Sequence, residues 1–329
     1  MTTLSVVVPF YNVAPYFSAL LESLSAQHLK DVEFILVDDG SSDSSSQTAS
    51  YWVRKDKRFR LIVQDNLGLS VARNVGVSHG VGEYLAFADA DDIVPADAYS
   101  SLVKSLESTK SDFACGNVLR LTSEGNAPHR GYRDAFSHSR QRTHITRDHS
   151  LITDRMVWNK VFSRSFWDRH GFKFSLPRYE DAPVMIHAHI AAETVDVLDQ
   201  VVYYWRRREA GEPSITQRIY EPDNLADLMH AVRVTGDIIR VHAPELIDVY
   251  ERNVCLGDLR IAVAALLKNT AEELDTALEI GWNLLVQMNR EVIEGLPEPY
   301  RTQTELFLQR DFDELREARR ALESLPSSR

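Results

Sequence analysis

Short apolar runs alternate with amphipathic stretches over the first 120 residues of this chain. Residues 4–8, ending in Val6-Val7-Val8, form a nearly continuous β-branched run, the pattern of a strand buried on both faces. Residues 32–37, 60–63 and 83–87 read as further strands. Between them, residues 14–27, 45–55 and 70–79 read as helices. In the first, Phe17, Leu20, Leu21 and Leu24 share one face. Strand–helix alternation from the first residues predicts a mostly parallel sheet covered by helices. A helix over 96–108, a strand over 112–121, helices over 165–170 and 181–192 and a strand over 196–205 continue the series. From about residue 222 the texture changes. Leu225, Leu228, Met229 and Val232 recur at helical spacing, and Pro244, Asn269-Thr270 and residues 295–299 separate later helical stretches. The expectation is an α/β unit over residues 1–220, then four helices over 223–326.

Three of the early strands end in ligand-capable residues: Tyr11-Asn12, Asp38-Asp39, and Asp89-Ala90-Asp91-Asp92. An acidic turn with Asp92 capping the next helix would explain the third alone. Right-handed crossovers, however, bring all three strand ends to one edge of the sheet, where ligands bind in open α/β folds. Clustered carboxylates there ionise together only with a cation or good solvation. Glu180-Asp181 opens the helix at 181, where acids also suit the macrodipole.

Composition narrows the partners. The chain has 329 residues, 44% hydrophobic and 26% charged, with net charge −11. A broad nucleic-acid-binding surface is excluded, while a local basic site for phosphate is not. The two cysteines, Cys115 and Cys255, sit far apart in apolar settings and read as buried thiols of a reducing compartment. No signal peptide opens the sequence and no apolar run reaches membrane-spanning length, so a cytoplasmic location is expected. Residues 122–150 hold His129, Arg130, Arg133, His138, Arg140, Arg142, His144 and Arg147. The histidine spacings match no metal pattern, and the expectation is a mobile basic loop beside the site, able to hold an anionic substrate.

Four segments together resemble one family: residues 6–12 (VVVPFYN), 37–43 (VDDGSSD), 66–76 (NLGLSVARNVG) and 87–92 (FADADD). In this order and at these spacings they are similar to the family 2 inverting glycosyltransferases of GT-A fold. Residues 158–160, 179–181 and 204–216 look like those of bacterial members that build or decorate teichoic acids, capsules and other cell-surface glycans. The resemblance implies a Rossmann-like nucleotide-binding half over 1–120, an acceptor-side half over 121–220, and a UDP-sugar donor. It implies a Mn²⁺ or Mg²⁺ ion on Asp91 with Asp89, the latter also holding the ribose. Asp92 is the less certain third carboxylate. Pro9 and Tyr11 would wall the base, Asp39 would accept the uracil N3–H, Asn66 would meet the base edge, and Arg73 would meet the diphosphate or the aspartates. Arg206, Arg207 and Ser214 would ride on a loop closing over the diphosphate. Asp181 would be the general base, with Glu180 its neighbour or a substrate ligand.

The acceptor implied is a hydroxyl of a glycan or polyol-phosphate polymer, lipid-linked or not. Peripheral association with the inner membrane face, a homo-oligomer and a further module joined through the helical region all stay open. The processive Gln-x-x-Arg-Trp string is absent; Trp205-Arg206-Arg207-Arg208 stands there. Two rival readings are a catalytically degenerate glycan-binding scaffold and a sugar nucleotidyltransferase. The second would want a Gly-rich basic loop after the first strand, where Pro9-Phe10-Tyr11-Asn12 offers none.

Overall fold

The computed structural model describes residues 2–128, 131 and 133–324. The chain divides into two units, Met1–Pro213 and Ser214–Arg329, slightly before the change of texture near residue 222.

The first unit carries strands β1 (Leu4–Phe10), β2 (Val32–Asp38), β3 (Phe59–Val63), β4 (Tyr84–Phe87), β5 (Phe113–Thr122), β6 (Gly125–Pro128), β7 (Arg140–Thr143), β8 (Lys160–Ser163) and β9 (Val195–Arg206). Its helices are α1 (Ala14–Ser25), α2 (Ser45–Lys55), α3 (Leu69–His79), α4 (Ala98–Thr109), α5 (Arg164–His170) and α6 (Asp181–Ala191). The sheet runs β3-β2-β1-β4-β8-β5-β9-β7, with β6 paired to β5. β1 to β4 are parallel, as the alternation implied. β8 enters antiparallel between β4 and β5, and β7 lies antiparallel on β9.

Parallel register puts Phe10 opposite Asp38, Asp38 opposite Val63, and Val7 opposite Phe87. The residues after β1, β2 and β4 therefore leave the sheet at one edge. Antiparallel β8 begins where β4 ends, so Lys160 enters the sheet at that edge too. Every residue of β1, β2 and β4 is buried, which explains their mostly apolar runs; the polar Ser5 and Glu33 within them hydrogen-bond each other. Helix α3 lies unusually close to β1, because a Cβ at Gly76 would overlap Val7 Cγ1. Below the edge, Phe87, Trp167 and Phe174 pack with ring centroids 5.3–5.9 Å apart. Each such pair adds about 0.5–1.5 kcal/mol beyond burial.

Residues 122–150 depart from the expected mobile basic loop. They contain β6, β7 and a 3-10 turn at His149–Thr153, with Ala135, Phe136 and Ile145 buried. The arginines serve backbone and carboxylate partners. Arg140 pairs with Asp148 at 2.5 Å, and Arg142 donates its backbone N–H to the buried Asp196 and its guanidinium to the Thr109 carbonyl. A local count of basic residues cannot reveal the Arg142 partners, which lie on other elements. Arg133 and His138 are exposed, and His129 and Arg130 lie outside the described residues.

The second unit contains α7 (Pro222–His242), α8 (Ile247–Leu256), α9 (Asp258–Ala265), α10 (Asp275–Gln287), α11 (Arg290–Glu294), α12 (Tyr300–Gln309) and α13 (Phe312–Ser324). The four expected helices are subdivided. Gly257 leaves helical geometry between α8 and α9, Asn289 caps α11 through its side chain, and Arg310 turns left-handed between α12 and α13. Their buried faces, including Leu225, Met229, Tyr250, Leu278 and Phe307, form a separate core. Among the described residues no helix is long and apolar enough to cross a membrane.

Candidate active site

The loops after β1 and β2 are tied to one another. Asn12, in a left-handed turn, accepts the backbone N–H groups of Ser42 and Asp43 through its amide oxygen (2.8 and 3.2 Å). Val13 and Ala14 donate in return to Ser45 Oγ and Asp43 Oδ2. Pro9 is buried in β1 opposite Val37, while Tyr11, just after the strand, is 46% exposed.

Asp39 is buried and its carboxylate accepts from Gln64 Nε2 (2.7 Å) and from the backbone N–H groups of Leu67 and Gly68 (2.9 Å each). A carboxylate offers about four acceptor positions, so roughly one is left for a ligand N–H. Its evident task is to brace the loop that carries the exposed Asn66. Gly40 makes this close approach possible: it holds φ +79°, and a Cβ there would sit 2.9 Å from Asn66 N.

Arg73 lies at the centre. It is 2% exposed on the inner face of α3, and donates to Asp89 Oδ1 at 2.7 Å and to Glu180 Oε1. Its guanidinium also lies 5.3 Å from the centre of the Phe174 ring. Burial works against the Arg73 charge, but Glu180 and Asp89 outweigh it and hold the guanidinium protonated. The same helix fixes the approach to α6. Asn74 exchanges hydrogen bonds with both backbone groups of Phe174, and Ser70 donates to the Leu176 carbonyl. Ser70 and Asn74 stand within the family-like string, but nothing local to them shows that their partners lie about 100 residues away.

Glu180 and Asp181 open α6 as expected, 3% and 8% exposed. Burial pushes Glu180 up to about 7, with Asp181 adding to the rise and Arg73 opposing it. Burial also raises Asp181, with Arg73 opposing and Asp89 adding. Behind them α6 is locked to β8. His189 Nε2 lies 3.1 Å from Asp154 Oδ2, and Lys160 Nζ donates to Asp154 Oδ1 at 2.6 Å, all three side chains fully buried.

On the other flank Asp91 Oδ2 accepts from Arg208 Nε at 2.6 Å, and the Asp91 carbonyl from Arg206 Nε at 2.6 Å. Asp92 is buried, and its Oδ1 accepts the Arg206 backbone N–H at 2.7 Å. Its Oδ2 has no donor among the described residues. Burial, then the charges of Asp91 and Asp89, push Asp92 well above the usual carboxylate range. Burial also raises Asp91, against the pull of Arg208. Tyr203, stacked on Trp158 at 4.3 Å, accepts the Asp89 backbone N–H through its hydroxyl.

Arg206 is not on a closing loop. It is the last residue of β9, paired with Leu121, so the sheet itself brings it to Asp91 and Asp92. Arg207 is exposed, its backbone N–H taken by the Leu121 carbonyl, and no contact among the described residues ties it to the carboxylates. Ser214 belongs to the second unit, where it caps the turn at Thr216–Arg218 through Gln217. The residue that sequence reasoning passed over is Arg208, the third of the arginine triple.

Five carboxylates (Asp89, Asp91, Asp92, Glu180, Asp181) thus face three guanidiniums (Arg73, Arg206, Arg208). Burial, with the neighbouring carboxylates adding, raises Asp91, Asp92, Glu180 and Asp181, and the surplus of negative charge suits a hard divalent cation. Asp89 and Asp91 each keep one oxygen that neither arginine occupies, so the donor set fits an ion that takes its remaining oxygens from phosphate. No group of three or more His, Cys, Asp or Glu residues among those described is arranged to enclose a metal by itself.

Residues 5–171 match the profile of glycosyl transferase family 2. The chain belongs to that family. A relative named uncharacterized glycosyltransferase EpsJ, from Bacillus subtilis, is 30% identical over 66% of this chain, and the match spans only 64% of that protein. Among solved structures, Staphylococcus aureus TarS 1–349 in complex with UDP-GlcNAc superposes with TM-score 0.75. It is 19% identical, and the match covers 99% of this chain and 93% of that one. The mannosyltransferase PcManGT from Pyrobaculum calidifontis, in complex with GDP-Man and Mn²⁺, superposes with TM-score 0.58 at 16% identity, covering 98% and 88%. At these identities the structural likeness establishes the family fold.

Proposed function

We propose that this chain transfers a sugar, with inversion, from a UDP-sugar to a hydroxyl of a cell-surface glycan or a polyol-phosphate acceptor. The observation that carries the reading is Arg73, which joins Asp89 on the donor side to Glu180 beside Asp181. One buried cation thereby sets the distance between the diphosphate end and the base. The UDP assignment rests on the acceptor position left at Asp39 and on the UDP-GlcNAc complex of TarS. A bound Mn²⁺ or Mg²⁺ on Asp91 and Asp89 would neutralise charge on the departing diphosphate.

The chain's own groups do the rest. The acceptor oxygen attacks the anomeric carbon as the bond to the β-phosphate oxygen breaks, and Asp181 takes the hydroxyl proton. Glu180 is committed to Arg73, which leaves Asp181 as the carboxylate at the head of α6 with surface still open. A raised pKa makes it a better base than an ordinary aspartate. Arg206 and Arg208, on the flank of Asp91, supply positive charge beside the diphosphate. A reaction in the cytoplasm or at the inner membrane face, where a nucleotide sugar would be the donor, is part of this proposal.

The test is transfer from a panel of UDP-sugars with Mn²⁺, alongside UDP binding. Asp181→Asn should keep UDP binding and lose transfer by about 10²–10⁴-fold. A normal rate in that variant refutes the base. Failure of the wild-type protein to bind UDP, or binding without hydrolysis or transfer, refutes the transferase reading and leaves the scaffold one.

A further inference from the structure

The helical unit holds a cavity of its own. It has a volume of about 270 Å³ and is lined by Arg260, Pro299, Tyr300, Gln303, Arg319, Leu322 and Glu323, contributed by α9, α12 and α13. None of these residues belongs to the transferase unit.

The lining separates into two chemistries. Pro299, Tyr300 and Leu322 present apolar surface. Against it stand two guanidiniums, an amide and a carboxylate. Arg319 is already neutralised, since its guanidinium pairs with Glu323 at 3.0 Å. Arg260 is different. Its guanidinium lies 5.1 Å from the centre of the Tyr300 ring, and no carboxylate among the described residues pairs with it. A guanidinium held on an aromatic ring loses little freedom on binding, and its N–H fork suits a carboxylate or phosphate. Gln303 is 3% exposed, and its Nε2 has no acceptor among the described residues. A buried amide without a partner is unfavourable, and a water or a ligand atom can relieve it. The volume is just under the lower end, about 300 Å³, of pockets for drug-sized ligands, which limits the occupant to about one sugar unit.

We infer that this cavity binds a single hydroxylated unit bearing one anionic group, a sugar acid or a sugar phosphate, with the anion on Arg260 and the carbon skeleton against Tyr300 and Leu322. Gln303 and Glu323 meet the hydroxyls. The helical unit is then a second, non-catalytic binding site, and the inference holds whether or not the transferase unit acts as proposed.

Calorimetric titration of the full chain tests it with four probes: glucuronate, glucose 6-phosphate, glucose and inorganic phosphate. Saturable binding of glucuronate or glucose 6-phosphate is expected, and which of them binds identifies the source of the anion. Glucose and inorganic phosphate, each carrying half of the chemistry, should bind at least tenfold more weakly. Arg260→Ala should weaken the charged-sugar isotherm at least tenfold and Arg260→Lys by less, with UDP binding and thermal melting unchanged in both. Three results overturn the proposal: no binding of either charged sugar, binding indifferent to Arg260, or inorganic phosphate binding as well as the sugars. Loss of charged-sugar binding in Asp91→Asn with none in Arg260→Ala would assign it to the donor site and overturn it too.

Discussion

Replacing Arg73 with methionine tests the centre of the active site without changing its volume greatly. The guanidinium is 2% exposed and neutralises Asp89 and Glu180 together. Breaking a buried pair by removing one partner costs about 3–5 kcal/mol, because a buried charge is left uncompensated. The cost should depend on pH with a definite sign. Glu180 has a native pKa of about 7 against an ordinary 4.5, so ionising it opposes folding. Its contribution is absent below the unfolded value, and stability falls as pH rises from there toward 7. Above 7 the wild-type loss levels off. Without Arg73 the native pKa of Glu180 rises further, so the variant keeps losing stability above pH 7. At about 1.4 kcal/mol per pH unit, the gap between the two proteins should widen by roughly 2 kcal/mol between pH 7 and pH 8.5. Urea unfolding of wild type and Arg73→Met at pH 6 and pH 8.5, followed by the tryptophan fluorescence of the first unit, measures it. A penalty below 1 kcal/mol at pH 8.5, or one larger at pH 6, would refute the assignment of Arg73 as the neutralising charge.

Two further substitutions test the supports of the site. Gly76→Val should cost about 1–3 kcal/mol by forcing α3 off β1, with the denaturation midpoint falling, and UDP binding should weaken because Arg73 and Asn74 move with the helix. Lys160→Met should cost about 3–5 kcal/mol. Burial would raise Asp154, but Lys160 and His189 together outweigh it and hold the carboxyl well below its usual range. Adding Asp154→Asn should recover part of the loss in urea unfolding, and a double variant no more stable than the single one would show that the pair is not what anchors α6.

The parts of this protein that depend on local pattern could be read directly from its residues. Val6-Val7-Val8 and the runs of β2 and β4 are buried strands because both faces of the sheet are covered there, whereas β3, at the sheet edge, leaves Arg60 and Val63 exposed. The carboxylates after β2 and β4 share an edge because parallel connections leave no other choice. Four short strings in order sufficed to name the family. The local reading failed where a side chain's partner lies far along the chain. Arg73 and Glu180 are 107 positions apart, Asp91 and Arg208 are 117, and neither residue of either pair announces the other. Arg142 looked like part of a substrate-binding loop because its partners, Asp196 and the Thr109 carbonyl, are out of local view. Arg206 was assigned to a loop because nothing in Trp205-Arg206-Arg207-Arg208 shows that the β9 ladder continues one residue further. Charge neutralisation in a buried site is a sum over elements that meet only in three dimensions. Sequence therefore fixes which charges are present, and packing decides which of them remain ionised and what each one holds.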